Sequence, residues 1–189
     1  SKVEIKHMTA REEDILSNPQ FIQDGTIFDR LLKSVLVDKN IDPSDFLPAD
    51  RTAIMYAARI TGYGSEYILQ LSCEACGKDA DFTFDISKQE IVNDLPNGVE
   101  FNEQTKLFDF VLPRTGLTAS VRPLTTRDES YLSEQNQKAE KLGIPNSKTV
   151  NMFKLAVMSV NGVEDKASLN QLFENLPALD SRKMRTVIN

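Results

Sequence analysis

One histidine, two cysteines and no apolar run near the roughly 18 residues that span a bilayer narrow the chemistry open to this chain. Cysteine nucleophiles need a nearby base, and the only imidazole is His7, in an extended N-terminal segment. There is no glycine-rich phosphate loop, no serine elbow and no H-E-x-x-H. Positive charge is also short: 22 Lys and Arg stand against 28 Asp and Glu, a net −6 that opposes tracking along a nucleic-acid backbone. The nearest basic cluster, Arg182, Lys183 and Arg185, reads as the solvated face of a helix. The N-terminus has no signal-peptide h-region, and two cysteines three positions apart make a poor disulfide framework. The expectation is an acidic, non-enzymatic protein of a reducing cytoplasm, binding neither nucleic acid nor membrane.

What is present is a change of period along the chain. Thr9-Ala10-Arg11-Glu12 fits a capping box, opening a helix that Pro19 ends. Ile27, Leu31, Val35 and Leu36 give a second helix over about 26–37, Asp42-Pro43 a single turn, and Ile54, Ala57 and Ala58 a third helix over about 50–60. That helix is expected to stop in Thr61-Gly62-Tyr63-Gly64. Alternation then takes over: Tyr67, Leu69, Leu71 and Cys73 face one way, and so do Ala80, Phe82, Phe84 and Ile86 beyond the turn CEACGKD. A second hairpin is expected over 107–112 and 117–124, after a loop from Asn93 that includes a short strand at 99–101. Helices resume over about 126–142 and 147–160, with another capped by Ser168 and broken at Pro177. The fold class is therefore α+β: N-terminal helices (1–64), two central antiparallel β-hairpins, one with a C-x-x-C-G tip (65–124), and a C-terminal helical lobe (125–189), forming one unit or two lobes sharing a core.

Two features invite a functional reading. MTAREEDIL (8–16) is echoed by LTTRDESYL (124–132), 116 residues later. Either both are capped helix starts using the same residue types, or each contacts an equivalent neighbour through Arg11 and Arg127. Cys73 and Cys76 in CEACG have the form of half a zinc site, and a tetrahedral site needs about four ligands. Three accounts stand: a metal-free relic turn, a four-thiolate site shared by two chains, or a site completed by His7 with a carboxylate or water. A redox dithiol is disfavoured because strand alternation, not a helix, follows Cys76.

In order along the chain, MTAREEDIL, DRTAIMYAARITGYGSEY, CEACG, LPRTG, VRPLTTRDE and LPALDSRKMR resemble the T4-type bacteriophage baseplate hub assembly proteins, also described as central spike complex proteins or hub assembly chaperones. The resemblance covers nearly the whole chain and rests on the order of short motifs. It implies a non-enzymatic protein of tail assembly in the infected host cytoplasm, either an assembly factor or a component of the virion baseplate, whose partners are other hub proteins, with self-association as a further expectation. Relatives commonly carry a C-P-x-C-G or similar turn, so the resemblance makes Cys73 and Cys76 the candidate metal ligands and nothing more. The alternative function is an intracellular zinc-binding adaptor. The partner-binding residues expected are Arg11, Arg59, Tyr63, Tyr67 and Arg127; Tyr63 serves equally as a cover for its helix end, and Arg59 as an ion-pair partner for nearby acids. The start at Ser1 and the end at Asn189 are compatible with residues lying beyond either terminus.

Overall fold

The computed structural model describes residues 2–89 and 94–188, so the loop expected from Asn93 begins outside the described residues. The fold is α+β, with N-terminal helices, central strands and C-terminal helices. It divides into two compact units, Ser1–Val92 and Asn93–Asn189. Cuts at 64 and 124 follow changes of sequence period. The units instead part between the two hairpins, because the second hairpin is built into a larger sheet and the first is not.

Unit 1 holds four helices, α1 (Ala10–Ser17), α2 (Pro19–Gln23), α3 (Ile27–Val35) and α4 (Pro48–Tyr63), and the ribbon β1 (Glu66–Ser72) with β2 (Asp79–Asp85). On α3 the helical repeat buries Leu31, Leu32 and Val35, and Leu36 follows them inward. Each such side chain contributes about 2 kcal/mol on burial. Residues 4–6 run antiparallel to the end of α3: Ile5 bridges Leu36, Lys6 N–H donates to the Val35 carbonyl at 2.8 Å, and Val37 N–H to the Glu4 carbonyl at 3.1 Å. Pro48 occupies the first position of α4, where its missing N–H costs nothing, so this helix starts earlier than the sequence spacing suggested. It also runs through Gly62 and stops at Gly64, whose φ of 84° suits glycine. Gly62 lies inside the helix for a packing reason: a Cβ there would sit 3.1 Å from Met8 Cβ.

Unit 2 carries a four-stranded antiparallel sheet in the order β3 (Val99–Asn102), β4 (Leu107–Val111), β5 (Thr118–Val121), β6 (Val157–Val160). Its helices are α5 (Thr126–Lys141), α6 (Lys148–Ala156), α7 (Lys166–Glu174) and α8 (Ala178–Ile188). Here the structure corrects the expected helix over 147–160. That helix ends at Ala156, and the next four residues pair with β5, Ala119 opposite Val160 and Val121 opposite Val157. Val150, Phe153, Val157 and Val160 fit helical spacing, but the open edge of β5 offers backbone partners that a longer helix would leave unmet. A second correction concerns α7. Its cap is Asp165, whose carboxylate accepts from Ser168 N–H at 2.9 Å; Ser168 lies inside the helix. The core gathers the inward residues of the sheet, such as Phe110, Ala119 and Val121, against Phe153, Phe173 and Met184. Phe153 and Phe173 meet edge to face, with centroids 5.7 Å apart.

No helix among the described residues is long and apolar enough to cross a membrane.

Candidate functional site

The β1–β2 ribbon gains little from the rest of its unit. Its pairing is regular, from Glu66 opposite Asp85 to Ser72 opposite Asp79. Every residue from Gln70 to Thr83 is nevertheless exposed. Alternation sorts its two faces. Tyr67, Leu69, Leu71, Ala80, Phe82 and Phe84 share one; Glu66, Gln70, Ser72, Asp79, Asp81 and Asp85 share the other with Ile68. Leu71 is 53% exposed and Phe82 56%, values at odds with the usual fate of large apolar side chains on a strand. Leu69 and Phe84 are half-buried, but toward the tip the apolar face of this ribbon is uncovered.

At the tip the chain makes a tight knuckle. Cys73 N–H donates to the Lys78 carbonyl at 2.9 Å and Gly77 N–H to the Cys73 carbonyl at 2.8 Å, with Gly77 at a φ of 67°. The backbone N–H groups of Cys76 and Ala75 are directed at the Cys73 sulfur and, with the Cys76 thiol, hold the Cys73 thiol below its usual pKa range. Both cysteines are exposed and unbridged. His7 does not join them: among the described residues no group of three or more His, Cys, Asp or Glu side chains is placed to hold a metal. The chain's own donor set at the tip is two thiols.

At the root of the ribbon, Arg59 has a local task. Its guanidinium donates to the carbonyls of Gly64 (2.7 Å) and Glu66 (3.1 Å) and lies over the rings of Tyr63 (5.1 Å) and Tyr67 (5.7 Å). It does not ion-pair with a neighbouring acid among the described residues; it ties the end of α4 to the start of β1. Tyr63 donates its hydroxyl to Glu13 at 3.0 Å, linking α4 to α1. Tyr67 stacks against Phe84 at 5.3 Å, in the apolar row.

The sequence echo corresponds to a repeated local structure, wider than the stretch first noticed. In unit 1, Glu12 is fully buried and accepts from Lys6 Nζ (3.1 Å), Thr9 N–H (2.8 Å), Thr9 Oγ1 (2.6 Å) and Ser34 Oγ (2.5 Å). Burial pushes its pKa up, but the bonds from Ser34, Thr9 and Lys6 prevail and hold it well below the usual carboxylate range. In unit 2, Asp128 accepts from Arg122 through both terminal nitrogens (2.6 and 2.9 Å) and from Thr125 N–H and Oγ1 (both 2.9 Å). The Arg122 guanidinium leads the causes that keep its pKa likewise low, against partial burial. Lys6, Thr9 and Glu12 thus match Arg122, Thr125 and Asp128 position for position. Extending the echo two residues upstream of Met8 and Leu124 would have found the cations. Arg11 and Arg127 are both exposed, each the second residue of its helix.

Beside the first of these helix starts lies a groove of about 720 Å³. Lys6, Arg11, Arg30, Lys33 and Lys39 line it around an apolar floor that includes Ile15, Phe21, Leu36 and Val37, and no carboxylate lines it. Lys6 is committed to Glu12, and Lys39 donates to the carbonyls of Lys33, Ser34 and Leu36 at the end of α3. Arg30 lies 4.0 Å over the Phe21 ring. The side chains of Arg11 and Lys33 are exposed and make no hydrogen bond or ion pair among the described residues, so their charge faces outward. Sequence reading missed this site because its cations are spread over more than 30 positions and meet only when 4–6, α1 and α3 pack together.

Unit 2 joins two of the motifs noted in sequence. Asp180, fully buried on α8, accepts from the backbone N–H groups of Arg114 (2.6 Å) and Thr115 (3.1 Å), in the turn between β4 and β5. LPRTG and LPALDSRKMR are therefore two sides of one structural contact. Comparison with protein-family models, curated proteins and solved structures finds no match for the chain.

Proposed function

We propose that this chain is a non-enzymatic baseplate hub assembly or structural protein of a T4-type phage, working by binding other hub proteins through the cationic groove of unit 1. The observation that carries the binding role is the groove itself: five cations and no carboxylate around an apolar floor, on a chain whose net charge is −6. Such a surface fits a protein segment with both acidic and apolar side chains. Opposite potentials speed encounter and fix register, and the floor supplies the area that holds the complex. The ordered sequence motifs support the choice of hub proteins as the source of that segment. Their setting would be the host cytoplasm during assembly, or the tail baseplate itself.

The test is co-expression with the hub proteins of the same phage, followed by size-exclusion chromatography. A complex is expected that weakens as salt rises. Arg11→Glu with Lys33→Glu, at two exposed positions, is expected to weaken it about tenfold or more, because each rim ion pair contributes about 0.5–1 kcal/mol and reversal adds repulsion. No complex with any hub protein, or one indifferent to the charge reversal, removes this reading. A zinc-binding adaptor is the second reading, favoured by the knuckle at Cys73 and Cys76.

A further inference from the structure

The ribbon is an incomplete object in two respects. Its donor set stops at two thiols, and its apolar row stops at nothing. The two deficits lie on the same face. Tyr67, Leu69 and Leu71 alternate onward to Cys73, and the cross-strand pairs Tyr67–Phe84, Leu69–Phe82 and Leu71–Ala80 end at the Cys73–Lys78 hydrogen bond that closes the tip. The opposite face cannot meet its own copy readily, since Glu66, Asp79, Asp81 and Asp85 would face like charges.

We infer that the ribbon tip is a metal site completed by a second copy of this chain: Cys73 and Cys76 of two chains bind one zinc ion as four thiolates, with the apolar faces of the two ribbons packed beside it. Thiolates select zinc among the common divalent ions, and structural zinc takes a closed tetrahedron of about four ligands. The knuckle is already closed by its own backbone, Cys73 N–H to the Lys78 carbonyl and Gly77 N–H to the Cys73 carbonyl, so both thiols are presented from a formed turn. A second copy supplies the missing half in matching geometry, and a two-fold arrangement uses the same surface on both sides, as closed dimers do. It also covers Leu71 and Phe82, which nothing in the chain covers.

The experiment uses the full chain, purified under a phosphine reductant so that Cys73 and Cys76 stay unbridged. Zinc content is measured by elemental mass spectrometry and molar mass by light scattering, before and after a chelator and with zinc restored. The expected result is about 0.5 zinc per chain in a dimer, as four ligands per ion require. Chelation should yield monomer, and added zinc should restore the dimer. Cys73→Ser with Cys76→Ser should abolish both zinc and dimer while leaving circular dichroism unchanged, since both side chains are exposed. Leu71→Glu with Phe82→Glu keeps the thiols but should weaken the zinc-bound dimer at least tenfold. One zinc per monomer, a dimer indifferent to chelation and to the cysteine variant, or failure to bind added zinc would each overturn the inference. None of these outcomes bears on the groove, whose charge-reversal test is separate.

Discussion

Replacing Glu12 by alanine is expected to destabilise unit 1 by about 3 kcal/mol, since hydrogen bonds to a buried charge contribute about 1.5–3 kcal/mol each before losses are shared. Four donors converge on this side chain, and three elements depend on them: the extended stretch through Lys6, the start of α1 and, through Ser34, α3. Lys6 adds little of its own, because its side chain is 42% exposed and regains water when the partner goes. Glu12→Gln keeps acceptors for Thr9 and should cost less than half as much. Hydrogen exchange over residues 9–37, read by mass spectrometry, separates this local loss from any change in unit 2. The pH dependence has a definite sign. A carboxylate whose folded pKa is lowered contributes stability that is complete above the unfolded value, about 4, and is lost as pH falls through the folded value. The gap between the parent protein and Glu12→Ala should therefore be constant from pH 7 to about 5 and shrink under acid. A gap that widens under acid would contradict the role given to this carboxylate.

Asp180→Ala should produce a comparable loss, about 3 kcal/mol, in unit 2. The carboxylate is fully buried and holds the turn between β4 and β5 by two backbone N–H groups. Alanine leaves both without their acceptor and opens space next to Met184, one turn along the same helix and itself fully buried. Asp180→Asn keeps one amide oxygen and is expected to recover about half of the loss. Denaturant unfolding followed through exchange of residues 107–121 is the measurement; protection there unchanged by alanine would show that the turn closes without α8.

The elements that followed one period were legible before any coordinates. The ribbon is the plainest case: Tyr67, Leu69 and Leu71 against Ala80, Phe82 and Phe84 appear in the pairing that alternation predicts. The capping box at Thr9 and Glu12 was legible too, because its spacing is fixed by helix geometry. What the sequence could not show was competition between partners. Val157 and Val160 satisfy a helix and a strand equally, and only the vacant edge of β5 decides for the strand. Glu12 read only as the acid of a capping box, a local role. Its burial depends on Ser34, 22 residues away, which no local pattern announces. Asp180 is the same kind of residue at a longer range. The groove cations follow suit, since charge spread thinly along a chain concentrates only on folding. Of the sequence-named contact residues, Arg59 proved to serve the chain's own backbone, Tyr63 and Tyr67 sit with it, and Arg11 alone lines the groove.

The tie that Arg59 makes across the end of α4 has a mechanical consequence. Seven-residue strands reach about 24 Å at 3.4 Å per residue, long enough to act as an outrigger. Had the crossing from Gly64 to Glu66 been left to glycine, the outrigger would swing and any grip on its tip would be slack. Two carbonyls held by one planar cation, flanked by two rings, turn that pivot into a weld. Whatever takes hold of Cys73 therefore pulls on α4 as well, and Arg59→Ala should loosen that transmission without touching a single residue at the far end.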